Sequence, residues 1–521
     1  MKPTARQRWM QLSNTEKTSV ITRSIDYARL TLPYICPPDN SISSELQGPK
    51  DSIGAQGVNN LANKIVMTLY QPSQPFFRLT VSMDSTKELA DAAEQGDTQA
   101  QEELAMLDKQ LAEKERQAMF ELDYNRFRTE AITAVKHLLI TGNALMYVPE
   151  KSTKGKTQVY GIKDYVLSRD LSGTVIEFIT RDQKSFYTFT KEVQDKIQAS
   201  QNRIINPDEN TKVDLFTWVT IGEDGRYTMQ QWANDVLLDS TGAWPKSELP
   251  WIPLSWNLVR GENYGRGLVE DYAGAFNALD VLTESYVTIA AIASDIKFLV
   301  NPSSVTDPVE LNNSPSGSYH AGAKDDVTTV QLDKLQDVQT IISAIQSYQQ
   351  QIGRAFLLNS AVRRNAERVT AEEIRADINE LDIAHGGVYS RFSEEWQLHL
   401  AVLMLKRIGL NLGTRGQIVP QIITGLDSLS RAGDLDNLRL FISDLSMLDG
   451  VPQEVRAAID PIRFSEFIGI RRGVDYSKFI KSPAQMQQDQ QALMQQQQQL
   501  TDGQAAADLA VEAGKQSMQG E

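Results

Sequence analysis

Two long helical patterns flank a short segment rich in proline and glycine, and this arrangement constrains the fold most. Residues 267–296 hold a helical pattern about 45 Å long at 1.5 Å per residue. Residues 335–358 repeat apolar side chains at helical spacing, from Leu335 to Phe356. Residues 297–334 carry prolines and glycines that end helices, and then the strand pattern V-T-T-V-Q-L. The sequence therefore predicts two long helices joined by a compact excursion that contains a strand.

The N-terminal half combines helices with a β-rich stretch. Residues 1–70 are typical of helices with a proline-rich interruption, and residues 76–82 of a strand. A charged helix over 86–120 and a second helix over 121–141, ending near Gly142, follow. Residues 143–260 show strand patterns separated by Gly and Asp turns. The predicted fold class is α+β, predominantly helical.

The C-terminal third begins with a helix start signal. Thr370 opens the capping box T-A-E-E, and the helix that it starts is predicted to run to about residue 409. Gly386 and Gly387 lie inside this helix, where glycine is unfavourable, so we expect a kink or a hinge there. Residues 424–480 suggest short helices, and the glutamine-rich remainder suggests a loose helix or a disordered tail.

The first long helix carries acidic residues on one side. On a helical wheel they fall within about 80° of each other, opposite the apolar side; they are Glu270, Asp280, Glu284 and Asp295. Residues 267–296 contain no Lys or Arg, whereas an ordinary solvated helix face mixes acids and bases to form i,i+4 pairs. The pattern indicates a helix that presents negative charge to something that must not bind tightly. A surface helix with this pattern by chance is the alternative.

Enzymatic motifs are incomplete. The segment Gly155-Lys156-Thr157 resembles the end of a phosphate-binding loop, but the position that needs the first glycine holds Glu150. Gly265 and Gly267 begin a G-x-G pattern that fits the start of a helix better than a dinucleotide site. Cys36 lies in a proline-locked turn and is expected to be a buried or idle thiol. We therefore expect no enzyme activity, no cofactor and no metal site.

Charge and hydropathy exclude further classes. The formal net charge is −15, the opposite sign from a protein that coats nucleic acid. No run of 18 or more apolar residues occurs, so no membrane span is expected, and the N-terminus lacks the apolar core of a secretory signal. With one cysteine, no intramolecular disulfide is expected.

The order of these parts resembles the portal (head–tail connector) subunit of tailed bacteriophages, in particular the T7-like short-tailed phages. The resemblance covers roughly residues 20–480. Four stretches carry it: residues 54–64 (G-A-Q-G-V-N-N-L-A-N-K), 259–266 (V-R-G-E-N-Y-G-R), 356–362 (F-L-L-N-S-A-V) running into 367–375 (E-R-V-T-A-E-E-I-R), and 386–390 (G-G-V-Y-S).

The resemblance implies a portal fold whose copies form a ring, typically of about twelve, around a central channel. It divides the chain into an N-terminal α/β wing, a first stem helix, a clip, a second stem helix, a tunnel loop, a long kinked wing helix, a helical crown and a glutamine-rich tail. The corresponding ranges are 1–266, 267–296, 297–334, 335–358, 359–369, 370–420, 421–482 and 483–521.

The resemblance also implies a function and a set of partners. The ring sits at one vertex of the capsid in the virion, after assembly in the host cytoplasm. It passes double-stranded DNA during packaging and ejection. The implied partners are the terminase large subunit, the scaffolding and major capsid proteins, a tail adaptor and internal core proteins, with no membrane.

Three groups of residues are expected to serve this function. A basic girdle of Arg363, Arg364 and Arg368 in the tunnel loop would touch DNA phosphates without reading bases, or form salt bridges between subunits. The four acids Glu270, Asp280, Glu284 and Asp295, called the acidic stripe, would keep the binding of DNA to the channel wall weak. Clip docking candidates are Lys297, Lys324 and Lys334, for which solvated surface is the alternative. Rival functions are a structural tail or scaffold oligomer without a DNA channel, and an ATPase using Lys156.

Overall fold

The structure is a computed structural model of the whole chain. It describes residues 3–39, 46–71, 75–81, 98–151, 155–200, 207–208, 210–294, 297–330, 335–358, 387–388, 391–410 and 418–422. The chain separates into two compact units. The first comprises residues 1–77 and 116–411, and the second comprises residues 78–115 and 412–521.

The N-terminal helices follow the predicted pattern. They are α1 (Ala5–Leu12), a π-helical turn (Ser13–Lys17), α2 (Thr18–Arg29) and α3 (Ile53–Leu69), with a 3-10 turn at Pro33–Ile35. The side chains at 58, 61, 65 and 69 of α3 are at most 3% exposed, so the apolar face predicted for this helix is confirmed. Thr4 caps α1 through a capping box with Gln7.

Two helices and a strand come next. β1 (Phe77–Val81) confirms the predicted strand, and α4 (Thr98–Tyr124) and α5 (Phe127–Thr141) follow it. The boundary predicted between residues 120 and 121 is wrong, because α4 continues to Tyr124 and the chain turns at Arg126, with φ 56°, before α5 begins. α5 ends at Gly142 with φ 77°, as predicted.

The β-rich stretch forms two antiparallel sheets. Its strands are β2 (Asn143–Tyr147), β3 (Gln158–Tyr160), β4 (Tyr165–Arg169), β5 (Val175–Ser185), β6 (Lys212–Ile221), β7 (Arg226–Ala233), β8 (Val236–Pro245) and β9 (Trp251–Ser255). A 3-10 turn (Phe186–Thr188) and α6 (Lys191–Ala199) lie between β5 and β6, and a second 3-10 turn (Lys246–Glu248) lies between β8 and β9. The three-stranded sheet has the order β3-β2-β9, and the five-stranded sheet has the order β4-β5-β6-β7-β8. The strand-rich reading is confirmed, but α6 was not predicted.

The two long helices and their connection follow. They comprise α7 (Leu268–Asp271), α8 (Ala273–Ser294), β10 (Lys297–Val300), α9 (Pro308–Asn313), β11 (Val327–Val330) and α10 (Leu335–Ala355). β10 and β11 pair antiparallel, with Lys297 opposite Val330. The strand predicted from V-T-T-V is confirmed. The first helix is interrupted at Tyr272, and β10 and α9 were not predicted because both are short.

The last described elements are a π-helical turn (Ser393–Leu398), α11 (His399–Arg407) and β12 (Ile418–Ile422). α11 is followed by a turn at Gly409 with φ 80°, close to the predicted end of the long helix. β12 pairs with β1 and lies within the range predicted to be helical, so that part of the prediction is wrong. The predicted crown beyond residue 422 and the glutamine-rich tail lie outside the described residues.

An aromatic cluster forms the core where α3, α5 and the C-terminal π-helical turn meet. Tyr70 lies edge-on to Phe127 and Trp396, with ring centroids 4.8 and 5.4 Å apart, and Phe392 lies edge-on to Trp396. All four side chains are at most 1% exposed. Within the described ranges, no helix is long and apolar enough to cross a membrane.

Candidate functional site: a helical stem and its root

The stem consists of α8 and α10, which pack against each other, together with the β10–β11 connection. Along α10 the predicted apolar side chains Val338, Ile342 and Ile345 are half-buried, and Ile352 is fully buried. On α8, Phe276 and Leu279 are 3% and 2% exposed. Burial therefore increases toward the ends of both helices that adjoin the N-terminal helices; we call this region the stem root.

Two glycines of α3 bring the stem root against the N-terminal helices. A Cβ at Gly57 would lie 2.9 Å from Cβ of Phe356, and a Cβ at Gly54 would lie 3.0 Å from the ring of Phe276. The Phe356 ring in turn packs edge-on against Phe276, with centroids 5.8 Å apart. Because no side chain larger than hydrogen fits at either glycine without displacement, the glycines set the distance between α3 and the stem.

Polar contacts fix the same junction. The Asn60 side-chain amide donates to the backbone oxygens of Phe356 and Leu357, at 3.4 and 3.1 Å. Leu357 adopts φ 54°, so the backbone turns there as the helix ends. The Gln349 amide donates to Asp51 at 2.8 Å. Two of the stretches that carry the family resemblance, 54–64 and 356–362, therefore meet at the stem root.

Two acids of the predicted stripe are neutralised inside the protomer. Glu270 lies 3.1 Å from the guanidinium of Arg266 and 3.9 Å from that of Arg23. Asp280 lies 3.4 Å from the guanidinium of Arg29 and accepts the backbone N–H of Lys50 at 2.8 Å. Their side chains are 17% and 15% exposed. The sequence places no Lys or Arg within 267–296, and the fold supplies the partners from outside that range: Arg23 and Arg29 of α2, and Arg266 two residues before α7.

The rest of α8 has a different surface. Glu284 is exposed and makes no ion pair among the described residues, and Asp295 lies outside them. Val281, Val287 and Ile292 are 62%, 56% and 54% exposed. The exposed part of α8 is therefore mainly apolar, with a single acid.

Residues 259–266, one of the stretches that carry the family resemblance, lie just before the stem and are anchored by hydrogen bonds to the N-terminal half. The Asn143 side chain forms two hydrogen bonds with the backbone of Gly265, at 2.7 and 2.8 Å. Gly267 caps the N-terminus of α7 and passes so close to Leu139 that a Cβ would lie 2.6 Å from its carbonyl oxygen. The prediction that G-x-G marks a helix start is confirmed, and the glycines serve close packing.

The connection at the far end of the stem exposes apolar side chains. Phe298, Leu299, Val305, Val309 and Tyr319 are all at least 60% exposed. Asp326 organises the excursion, since it accepts hydrogen bonds from the Thr306 hydroxyl at 2.9 Å and the Ala323 N–H at 2.7 Å.

Only some of the predicted site residues lie within the described part of the chain. Lys324 is exposed, Lys297 pairs through its backbone in β10, and Lys334 lies outside the described residues. Arg363, Arg364 and Arg368 also lie outside them, as does Gly386. Gly387 is described in a helical conformation, and a Cβ there would meet nothing within 4 Å.

The possible phosphate-binding loop has another local role. Lys156 donates to the Tyr124 carbonyl at 2.7 Å and lies 4.0 Å from the centre of the Tyr124 ring. Glu150 accepts the Trp244 indole N–H at 2.7 Å. Lys156 therefore packs on the end of α4 instead of pointing into a phosphate cradle.

Strongly perturbed titratable groups belong to the N-terminal half. Burial lowers the pKa of Lys17 to about 7, helped by the charge of Arg181 and opposed by that of Asp164. Burial also lowers the pKa of His137 to about 4 and raises the pKa of Cys36 to about 11. Cys36 is buried, as predicted. Over the described part of the chain, no three His, Cys, Asp or Glu side chains cluster as metal ligands.

Comparison with known proteins identifies relatives along most of the chain. A family model described as bacteriophage head to tail connecting protein matches residues 2–480. The portal protein of Escherichia phage T7 is 32% identical over 500 residues, which is 94% of this chain and 90% of the relative. The portal protein of Enterobacteria phage SP6 is 32% identical over 506 residues, covering 96% and 94%. That of Pseudomonas phage phiKMV is 29% identical over 524 residues, covering 98% of each.

The comparison with solved structures finds chains of gene transfer agent particles. A chain of the native particle's virion has a TM-score of 0.33 at 10% identity, with 75% of this chain and 85% of that chain covered. A chain of the native particle's neck, computed with C12 symmetry, has a TM-score of 0.33 at 9% identity, with 78% and 88% covered.

Proposed function

The chain belongs to the family of bacteriophage head to tail connecting proteins, and we propose that its copies form the ring-shaped portal at one vertex of a phage head. The ring encloses a channel through which double-stranded DNA enters during packaging and leaves during ejection. The protein itself is structural, and ATP hydrolysis belongs to the motor that docks on it.

The stem carries this proposal. A pair of long helices rooted at one end exposes Val281, Val287 and Ile292 along α8. Apolar surface of this extent on a helix is stabilised when another protein surface covers it. In a closed ring each copy offers the same face to its neighbour, so side-by-side stems bury these residues and enclose a channel.

The proposed DNA contact is the loop after α10. Residues 359–369 hold Arg363, Arg364 and Arg368, and the loop continues directly from the stem root. Repeated around a ring, these arginines form a narrow basic girdle that contacts phosphates and reads no bases. The net charge of −15 per subunit opposes DNA binding elsewhere. Gly386 and Gly387 are proposed as a hinge in the helix that follows.

The acidic stripe contributes less to the channel wall than its sequence suggests. Glu270 and Asp280 are engaged with arginines at the stem root. Repulsion of DNA phosphates by this stripe is therefore left to Glu284 and Asp295.

The β10–β11 connection is the proposed docking surface for the terminase large subunit and later for the tail adaptor. Its exposed apolar side chains supply contact area, and Lys297, Lys324 and Lys334 supply positive charge at its edges. We further propose contacts of the wing with the scaffolding, major capsid and internal core proteins.

The test replaces Arg363, Arg364 and Arg368 by Ala together. The control replaces Lys212, Arg226 and Arg260 by Ala; these are exposed and make no ion pair among the described residues. Ring formation is measured by native mass spectrometry and electron microscopy, and DNA packaging by complementation of a portal-deficient phage. We expect loss of packaging with intact rings for the first variant only.

Three other outcomes would contradict the proposal. Loss of the ring in the first variant would make the arginines subunit contacts, as in a scaffold oligomer. Normal packaging would remove them from the DNA path. Saturable ATP binding that Lys156→Ala abolishes would favour an enzyme instead.

A further inference from the structure

The exposed face of α10 lacks charge over most of its length, up to the exposed Arg354 in its last turn. Between Val338 and Gly353 the helix carries no Asp, Glu, Lys or Arg. Its exposed side chains on adjoining turns are amides and hydroxyls, namely Gln339, Ser343, Gln346, Ser347, Gln350 and Gln351. Exposed helix faces ordinarily mix acids and bases, because such pairs stabilise the helix and keep the surface soluble. We call this surface the amide face.

The exposed surface of α8 is of the opposite kind. Val281, Val287 and Ile292 favour burial against another subunit, whereas amides and hydroxyls favour contact with water. In a ring of stems, the exposed surfaces of each subunit face a neighbour, the lumen or the outside. The apolar surface of α8 therefore fits the neighbour, and the amide face fits a hydrated side.

Chain continuity distinguishes the two hydrated sides. α10 leads directly through Phe356 and Leu357 into residues 359–369, the loop proposed to touch DNA. α8 instead follows α7, which Arg23 of α2 ties to the N-terminal helices through Glu270. The helix that is continuous with the DNA-contacting loop is thus the one with the amide face.

We infer that the amide face of α10, and not the acidic stripe of α8, is the channel surface along which duplex DNA slides; this inference rests on the proposed portal function. Amides and hydroxyls exchange hydrogen bonds with phosphates and water without displacing counterions. Contact with them therefore adds little of the salt-dependent affinity that each basic side chain would contribute. A neutral wall lets a polyanion pass in both directions without strong attraction or a repulsive barrier.

The test introduces charge on each helix separately. Gln346→Lys and Gln350→Lys, made one at a time, each add one positive charge to the amide face, and Glu284→Lys, which changes the charge by two units, is the variant on α8. Each purified protein is first checked for a ring by native mass spectrometry. Binding is then measured from 50 to 200 mM salt with a closed circular duplex and with the same circle cut once, because only a molecule with ends can thread a channel.

For wild-type rings we expect weak binding of both DNA forms. For the two glutamine variants we expect added affinity for the cut form alone. This affinity should fall over the salt range by about 3.5-fold more for each phosphate that the new lysines contact, from a slope of about 0.9 per contact. Glu284→Lys should show no preference for the cut form.

Other binding results would contradict the inference, and each has its own meaning. Equal gains for closed and cut DNA would place the amide face outside the ring, and no gain would show that DNA does not reach it. A preference for cut DNA only in Glu284→Lys would return the channel wall to α8. A wild-type chain that forms no ring would overturn the portal function as well, whereas packaging-competent wild-type rings with any of the other contrary results would overturn this inference alone.

Discussion

Replacing Gly57 by Ala tests whether glycine at the stem root is required for packing. Gly57 lies inside α3, where alanine is the better helix former by about 1 kcal/mol. The new methyl group, however, would lie 2.9 Å from Cβ and 3.0 Å from Cγ of Phe356. Ordinary carbon–carbon contacts lie at about 3.5–4.0 Å. Because Cβ of Phe356 cannot rotate away, α3 and the end of α10 must separate.

The balance of the two effects gives the expected magnitude. Overpacking a well-filled core costs about 1–3 kcal/mol. Subtracting the gain in helix propensity of about 1 kcal/mol leaves a net destabilisation of about 1 kcal/mol, within a range of about 0–2. Gly274→Ala is the control, because Gly274 lies in the first turn of α8 and a Cβ there meets nothing within 4 Å. That variant should be neutral or stabilised by up to about 1 kcal/mol.

Thermal unfolding of both variants and of the wild type measures the difference. For a unit of about 370 residues, 1 kcal/mol corresponds to a shift in the midpoint of about 1–2 °C. Gly57→Ala should melt earlier, with faster hydrogen exchange of the amides at residues 352–358, and Gly274→Ala should not. A Gly57→Ala protein as stable as Gly274→Ala would refute the argument that close approach to Phe356 demands glycine.

Three further changes test other parts of the structure. Lys17→Met should abolish one pH dependence of the free energy of unfolding. The folded pKa of Lys17, near 7, lies below its unfolded value, so the wild type gains stability from pH 7 to 9, by up to about 1.4 kcal/mol per pH unit. Urea unfolding at several pH values that gives the same change of stability with pH for both proteins would contradict this. Asn60→Ala should cost about 1–3 kcal/mol, since Phe356 and Leu357 lose their hydrogen bonds at the stem root, and an unchanged melting midpoint would show that water replaces the amide. Arg126→Gly should stabilise by about 1 kcal/mol, because φ 56° is strained for arginine, and a lower midpoint would refute that strain.

Local patterns in the sequence were good guides where one face of an element is buried. The spacing of apolar residues in α3 and α10 identified both helices, and the strand-rich stretch was recognised from alternation between turns. Short elements such as β10 and α9 were missed, because four to six residues carry too little periodicity. The boundary between α4 and α5 was misplaced because arginine gives no local signal for the left-handed conformation of Arg126.

The family and its implied function also followed from sequence. The four resemblance-bearing stretches pointed to the connector family that the comparisons identify. Their physical reason was not visible, however. Gly57 appears in one stretch and Phe356 in another, and only the fold brings Cβ of Phe356 to 2.9 Å from the position that a Cβ at Gly57 would take.

Charge shows most clearly what the sequence determined and what only the tertiary structure decided. Sequence alone established that residues 267–296 carry acids on one side without a cation among them. It did not show that Arg23 and Arg29, more than two hundred residues away, lie against Glu270 and Asp280. An electrostatic interaction depends on distance in space, and helix periodicity predicts distances only within one element. The fold therefore assigned these two acids to holding the stem root.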